Sequence, residues 1–330
     1  MKILAYINTY NRYDSTLSMA LLSIINQTRK PDHIRIYDDN KEPRDLRTVE
    51  QYDYLFKLMD QKGIEWDYVF ALKKGAHHSH EMANMSGYDA AWFIDDDCVA
   101  EPTCLEFLEK ELISGVGAVG GLILQPPAGP LPRDAKNKIY DMFAPNIQWF
   151  KWSGNPREVE HIYSSFLYRC NIAHHDLRLS SVVFRGETMF THSLYLKRYK
   201  LIITPDAITW HFQSVGGIHS QQKIDEWNHD EQIFRQWLDF IKLKKKIYVL
   251  NNGVGDHYMF RQAITPEKNS ILAVCYPEVF PEYKCISIAD ASTYVDLKDY
   301  DVYAWCDRNH WKGHLKDAFI KLYEHINHTL

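Results

Sequence analysis

The first hundred residues switch repeatedly between two spacings of apolar side chains. Short apolar runs that end in polar residues predict buried strands. Between them, apolar residues recur every three or four positions, as at Leu17, Leu21, Ile24 and Ile25, which predicts amphipathic helices. Strands alternating with helices predict an α/β fold with a mostly parallel central sheet flanked by helices. The predicted strands are 2–7, 33–40, 66–73 and 90–97, and the predicted helices are 14–28, 49–63 and 78–89.

The pattern changes in the second half of the chain. A Pro-rich loop begins near residue 125, and residues 199–214 contain two short β-runs split at Pro205 and Asp206. A long amphipathic helix is predicted from residue 225, ended by the lysine run 244–246, because cations suit a helix C-terminus. We therefore predict one domain over residues 1–243 and a small α/β unit, Rossmann-like in pattern, over residues 247–330.

Composition narrows the function classes. With 45% hydrophobic and 25% charged residues and a net charge of -5, the chain is typical of a soluble globular protein and shows no overall basic charge. The six cysteines form no C-x-x-C pair, so a zinc knuckle or redox motif is not indicated. The N-terminus turns polar too early for a signal peptide, and no apolar run reaches transmembrane length. The expected location is the cytoplasm, including its membrane surface, or the host cytoplasm for a viral protein.

Polar clusters follow three of the predicted strands, at 9–12, 38–40 and 95–97. In open parallel sheets, ligands bind at the carboxyl ends of the strands. If the fourth strand continues through residue 97, Asp95 and Asp97 point to one side and Asp96 to the other. Two converging carboxylates suit Mg²⁺ or Mn²⁺ together with a substrate's phosphates. The alternative is a solvated acidic loop that caps the helix after Pro102.

The stretches "INTYNR", "IYDDN" and "FIDDD", in this order, resemble the family-two glycosyltransferases that have the GT-A fold. The segment "RGETMFTHSLYLKRYKLIITPDAITWHFQS" is similar to the second half of that family, so the resemblance covers about residues 1–240. It implies an inverting, Mn²⁺- or Mg²⁺-dependent transfer of a sugar from a nucleotide sugar, a UDP-sugar by expectation, to an acceptor hydroxyl. It also implies a nucleotide-binding half at 1–100 and an acceptor half at 101–243.

The resemblance also implies roles for single residues. Glu187 is expected to be the general base, although Thr188 stands where an Asp often acts, and Asp206 is a weaker candidate. Asp38 or Asn40 could share base recognition with Asp39, although the sequence Asp-Asp-Asn is also a plain turn. The expected donor-binding residues are Thr9, Tyr10, Arg12, Asp39, Asp95 and Asp96, the metal ligands Asp97 and His211, and the acceptor-side residues Trp149, Trp152 and Arg185.

The acceptor and the accessory unit are less constrained. A glycan is the expected acceptor, and a hydroxylated base of phage DNA is the alternative for the same chemistry. A second class is a non-catalytic module that binds a nucleotide sugar or a glycan. The C-terminal stretch "NNGVGDHYMF" weakly resembles the opening of heptosyltransferase-type GT-B domains, but one such unit is too short for a whole enzyme. We expect it to serve acceptor binding, positioning or self-association.

Overall fold

The chain forms two compact units in a computed structural model. The first comprises Met1–Tyr195 and Tyr199–Gln236, and the second comprises Leu196–Arg198 and Trp237–Leu330. Among the described residues, no helix is long and apolar enough to cross a membrane. The structure describes residues 1–70, 73, 75–126, 129–130, 154–162, 164–197, 199–212, 223–242, 245–263, 266, 270–295 and 300–304.

Among the described residues, ten strands and six helices begin in the first unit. The strands are β1 (Ile3–Thr9), β2 (His33–Asp38), β3 (Glu65–Phe70), β4 (Ala90–Phe93), β5 (Cys98–Ala100), β6 (Val116–Gln125), β7 (Gly129–Pro130), β8 (Arg157–Val159), β9 (Phe166–Arg169) and β10 (Lys200–His211). The helices are α1 (Leu17–Ile25), α2 (Glu50–Lys62), α3 (Ala76–Asn84), α4 (Cys104–Glu111), α5 (Gly186–Leu196) and α6 (Ile224–Lys242), with a 3₁₀ turn at Leu46–Thr48.

These strands form one mixed sheet in the order β3-β2-β1-β4-β9-β6-β10-β5. The four strands from β3 to β4 are parallel, as the helical connections predict. Strand β9 is antiparallel to both of its neighbours, so β6 and β10 run in the same direction as β4. Strand β5 closes the sheet antiparallel to β10. The GT-A expectation of a mostly parallel sheet flanked by helices is confirmed.

Both faces of the sheet are covered, which explains why β1 is apolar at nearly every position. Ile3, Ala5 and Ile7 pack into the cluster that contains residues of α1, α2 and α4. The alternate residues Leu4 and Tyr6 pack into the opposite cluster, which contains residues of α3 and α5. A strand buried on both faces reads as a continuous apolar run, because each face demands its own set of apolar side chains.

The second unit contains a four-stranded parallel sheet in the order β13-β12-β11-β14. Its apolar core includes Leu250, Phe260, Leu272 and Phe280. The described part of this unit thus has the α/β pattern expected from the sequence. The elements are β11 (Lys245–Leu250), α7 (Val254–Ala263), β12 (Ile271–Val274), a 3₁₀ turn (Pro277–Val279), β13 (Lys284–Ile286), α8 (Ile288–Val295) and β14 (Tyr300–Ala304).

Two predictions for the second half of the chain are wrong in detail. The lysine run does not end α6, because Lys245 and Lys246 already belong to β11 and pair with β14. The two β-runs near Pro205 are one strand, β10, whose register against β6 shifts between Ile203 and Ile208. At that irregularity the Ala207 carbonyl approaches Gly121 so closely that a Cβ would not fit there.

Candidate functional site

The carboxyl ends of β1, β2 and β4 meet at one edge of the sheet and are joined by hydrogen bonds. The Tyr10 N–H donates to Asp96 Oδ2 at 3.1 Å. The Asn11 N–H donates to Asn40 Oδ1 at 2.7 Å, with Asn11 in the left-handed region at a φ of 57°. The three polar clusters expected from the sequence therefore lie together, as parallel pairing requires.

The acidic triplet does not continue the strand, which corrects the expected alternation of side chains. Strand β4 ends at Phe93, and the Cys98 N–H donates to the Asp95 carbonyl at 3.0 Å, which closes a turn over the triplet. Arg12 Nη1 lies 2.9 Å from Asp97 Oδ2 and 3.9 Å from Asp96 Oδ1. Asp96 and Asp97 thus share one guanidinium instead of pointing to opposite faces.

The two carboxyl groups have opposite pKa shifts. Burial raises the pKa of Asp96 to about 7, against the lowering effect of Arg12. Burial also opposes ionisation of Asp97, but hydrogen bonds and charge from His211 and Arg12 outweigh it and lower the Asp97 pKa to about 2. Asp97 is therefore ionised at neutral pH, whereas Asp96 is partly protonated there.

His211 reaches this edge from β10, which is three strands away from β4 in the sheet order. It ends β10, where pairing with β5 sets it opposite Cys98, and its Nε2 lies 3.3 Å from Asp97 Oδ1. One potential ligand atom each of Asp95, Cys98 and His211 lie within 4.8 Å of one another. Burial raises the pKa of the Cys98 thiol well above its usual range, which disfavours the thiolate that binds metals.

The remaining donor set fits a divalent ion. The Asp95 and Asp97 carboxylates are the oxygen ligands that Mg²⁺ and Mn²⁺ prefer, and a neutral imidazole is a common ligand of transition metals. Asp97 is ionised near neutral pH, as a ligand must be. The expected ligands Asp97 and His211 lie together, and Asp95 joins them as a third.

The carboxylates near the end of β2 differ in their partners. Asp38 Oδ1 accepts from the Asn40 backbone N–H at 2.9 Å and from Asn40 Nδ2 at 2.8 Å. Asp38 Oδ2 accepts from the hydroxyls of Tyr13 and Tyr68. Both oxygens of Asp38 are thus engaged in holding the turn, as are both polar ends of Asn40. Asp39, which lies between them in the sequence, is 4% exposed.

Glu187 lies in the first turn of α5 and contacts the acidic triplet through one intermediate residue. The Ser164 N–H donates to Glu187 Oε2 at 2.8 Å, and the Ser164 hydroxyl donates to Asp95 Oδ2 at 3.0 Å. Thr188, which stands where an Asp is common, is buried within the fold. Of these two neighbours, Glu187 is therefore the one that connects to the triplet.

Other predicted residues have other surroundings. Arg185 Nε lies 3.3 Å from Glu231 Oε2, and its guanidinium lies over the Phe184 ring at 4.4 Å from the centroid. Asp206 is exposed on β10. Trp149 and Trp152 lie outside the described residues.

Two site residues were missed from the sequence. Ser164 follows a stretch without clear periodicity, and nothing in its neighbours marks it. Lys223 immediately precedes α6, and its Nζ lies 5.6 Å from the centroid of the Tyr10 ring and 3.0 Å from Ser181 Oγ. The sequence places this lysine directly after the Gly-containing stretch 214–222, and that was a usable signal, because Gly-containing sequences often mark loops that border binding sites.

Part of the chain matches a known family model. The family model described as glycosyl transferase family 2 matches residues 5–167. No curated protein sequence matches the chain. Among solved structures, GalNAc-T7 with UDP, GalNAc and Mn²⁺ matches 74% of this chain and 50% of its own, with a TM-score of 0.53 and 14% identity.

Two further solved structures match a comparable part of the chain. The mannosyltransferase PcManGT from Pyrobaculum calidifontis, in complex with GDP-Man and Mn²⁺, matches 72% of this chain and 64% of its own, with a TM-score of 0.50 and 14% identity. S. aureus TarS matches 73% of this chain, with a TM-score of 0.49 and 12% identity. The match spans 40% of that TarS chain, so this chain covers less than two thirds of each of these three solved structures. Residues 5–167 are therefore a family-two-like glycosyltransferase domain, and the fold is GT-A.

Proposed function

We propose that the chain is an inverting glycosyltransferase that moves a sugar from a nucleoside-diphosphate sugar to a hydroxyl of a glycan. The supporting observation is that Asp95, Asp97, His211 and Glu187 are connected at one sheet edge, through Ser164 and the Asp97–His211 contact. Donor, leaving-group and acceptor chemistry then share one site. UDP and GDP-Man in the structural relatives support a nucleotide-sugar donor, and we favour UDP because Asp39 suits an imide N–H.

In this proposal the residues at the strand ends bind and orient the donor. Asp39 accepts a hydrogen bond from the base, while Thr9 and Tyr10 lie beside it at the end of β1. Asp95, Asp97 and His211 would hold Mn²⁺ or Mg²⁺, and both relatives named with a nucleotide contain Mn²⁺. Such an ion, when bound, neutralises charge that develops on a departing diphosphate.

Glu187 acts as the general base. It takes the proton of the acceptor hydroxyl while that oxygen bonds to the anomeric carbon, and the bond from that carbon to the diphosphate oxygen breaks on the opposite face. The hydroxyl proton ends on Glu187, and the bonding electrons leave with the nucleoside diphosphate. The anomeric configuration is therefore inverted.

Two carboxamide substitutions test the role of Glu187. Glu187→Gln should retain donor binding, measured by calorimetry with Mn²⁺ present, and lose sugar transfer by at least about a hundredfold. The control is Asp206→Asn, because Asp206 is an exposed carboxylate on another element, β10. This variant should transfer the sugar normally. Normal transfer by Glu187→Gln would assign the base to another group.

The nature of the acceptor is tested separately. A glycan acceptor predicts that binding changes little with salt, whereas a DNA acceptor predicts affinity that falls steeply with salt in gel-shift titrations. We propose an accessory role in acceptor binding, positioning or self-association for residues 247–330. Donor binding without turnover on any acceptor would instead favour a non-catalytic binding module.

A further inference from the structure

Ser164 makes two hydrogen bonds to carboxylates with different proposed tasks. Its hydroxyl donates to Asp95 in the donor cluster, and its backbone N–H donates to Glu187 on α5. The residue is only 6% exposed and adopts a φ of 58°, a backbone conformation that is uncommon for a serine. This strained, buried residue is thus the shortest described link between the two carboxylates.

The backbone segment before Ser164 is fixed to α5 by further side chains of that helix. The Thr191 hydroxyl lies 2.8 Å from both the backbone N and the carbonyl O of Ile162. His192 Nδ1 lies 2.7 Å from the Glu160 carbonyl. Glu187, Thr191 and His192 therefore attach α5 to the backbone of Glu160, Ile162 and Ser164. These residues and the helix are expected to shift together.

At its other end, the segment is attached to the donor cluster through the Ser164 hydroxyl. A hydroxyl can donate one hydrogen bond, and here Asp95 Oδ2 accepts it. Hydrogen bonds to a charged acceptor are the stronger kind, so a change in the position of Asp95 is transmitted to Ser164. The same residue then shifts the N–H that orients Glu187.

We propose that Ser164 is a positioning residue that couples occupation of the donor site at Asp95 to the placement of Glu187. The inference rests on the proposed function and adds a regulatory order to it: donor binding sets the base before an acceptor is deprotonated. Because coupling between two sites is reciprocal, changes at Glu187 are also felt at Asp95.

The experiment measures hydrogen–deuterium exchange of the full chain with and without Mn²⁺ and a nucleoside diphosphate. UDP, GDP, CDP and ADP are compared first by calorimetry, and the tightest binder is used. In the unsubstituted chain, this probe should slow exchange about tenfold at residues 95–98 and also in α5, which lies across Ser164 from the probe.

Two substitutions remove the hydroxyl in different ways. Ser164→Ala keeps the backbone N–H that Glu187 uses, and Ser164→Gly does so while also tolerating the positive φ. The control is Thr28→Val, which removes another hydroxyl-to-carboxylate hydrogen bond, 2.7 Å to Glu106, at a distance from the site. Both Ser164 variants should bind the probe within about tenfold of the unsubstituted affinity, because Asp95 keeps its oxygens.

The coupling predicts that protection of α5 falls to less than about twofold in both Ser164 variants, remains in Thr28→Val, and that protection of residues 95–98 persists in all. Full protection of α5 in either Ser164 variant overturns the inference and leaves the proposed function standing. So does loss of probe binding in both variants, because Ser164 would then belong to the donor site itself. Failure of the unsubstituted chain to bind any nucleotide with Mn²⁺ overturns the proposed function, and the coupling with it.

Discussion

Arg12 supplies the positive charge that allows two buried carboxyl groups to lie side by side. Its side chain is 7% exposed and that of Asp97 is 8% exposed, with 2.9 Å between Nη1 and Oδ2. Removing one member of a buried ion pair leaves an uncompensated charge and costs about 3–5 kcal/mol. We therefore expect Arg12→Gln to destabilise the first unit by that amount in chelator.

This cost can be measured by thermal unfolding. For a unit of this size, about 2–4 °C of Tm accompanies each kcal/mol, so Arg12→Gln should lower Tm by about 6–20 °C. Mn²⁺ should restore part of the loss, since a cation beside Asp97 replaces the missing guanidinium. The variant should accordingly bind Mn²⁺ at least about tenfold more tightly than the unsubstituted chain in calorimetry without nucleotide.

A second arginine provides the control. Arg44 Nη1 pairs with Asp14 Oδ1 at 3.0 Å, but their side chains are 48% and 81% exposed. Exposed pairs contribute only about 0.2–1 kcal/mol, so Arg44→Gln should change Tm by no more than about 4 °C. An Arg12→Gln protein with an unchanged Tm, or with weaker Mn²⁺ binding, would show that Arg12 does not compensate the acidic cluster.

Two further predictions concern stability elsewhere in the first unit. Asp230 accepts hydrogen bonds from Ser180 N, Ser180 Oγ and Phe184 N at 2.6, 2.9 and 2.8 Å. Asp230→Ala should therefore lower the free energy of unfolding in urea by about 2–5 kcal/mol. The control is Asp225→Ala, which changes an exposed carboxylate on the same helix. Burial lowers the pKa of His80 to about 3 and that of His175 well below its usual range. As the pH falls, these two histidines therefore take up protons in the unfolded chain at a higher pH than in the folded chain. The free energy of unfolding should therefore fall as pH drops below about 6.5, by about 2 kcal/mol per histidine at pH 5. His175→Phe keeps the stack on Phe190 and should lose about 2 kcal/mol less stability than the unsubstituted chain between neutral pH and pH 5. An equal acid sensitivity in that variant would show that His175 is not buried as a neutral group.

The fold was predictable where local patterns decide it. The apolar runs of β1, β2 and β4 and the stop at Gly63, which has a φ of 67°, are encoded within a few residues. Strand β9 gives no comparable signal, because its position between β4 and β6 depends on pairing with residues far along the chain. The prediction for the lysine run was wrong because it considered only charge at a helix end. Pairing with β14, which is distant in sequence, places Lys245 in a strand.

The sequence predicted which residues lie at the site better than it predicted the contacts between them. The parallel topology brings Thr9, Asp39 and Asp97 to one edge whatever their side-chain partners are. The pairing of Arg12 with Asp97, the closed hydrogen-bond set of Asp38 and the bridge through Ser164 are all tertiary contacts. Sequence spacing does not specify such contacts, because each depends on where a turn or loop directs one side chain.

The mixed sheet also limits how this protein can be divided for study. The family match ends at residue 167, which falls inside β9, a strand with neighbours on both sides. A fragment truncated there would lack β10 and with it His211, and would leave β6 with an open, apolar edge. Such a fragment should aggregate, whereas the compact unit that ends at Gln236 keeps every strand of the sheet paired.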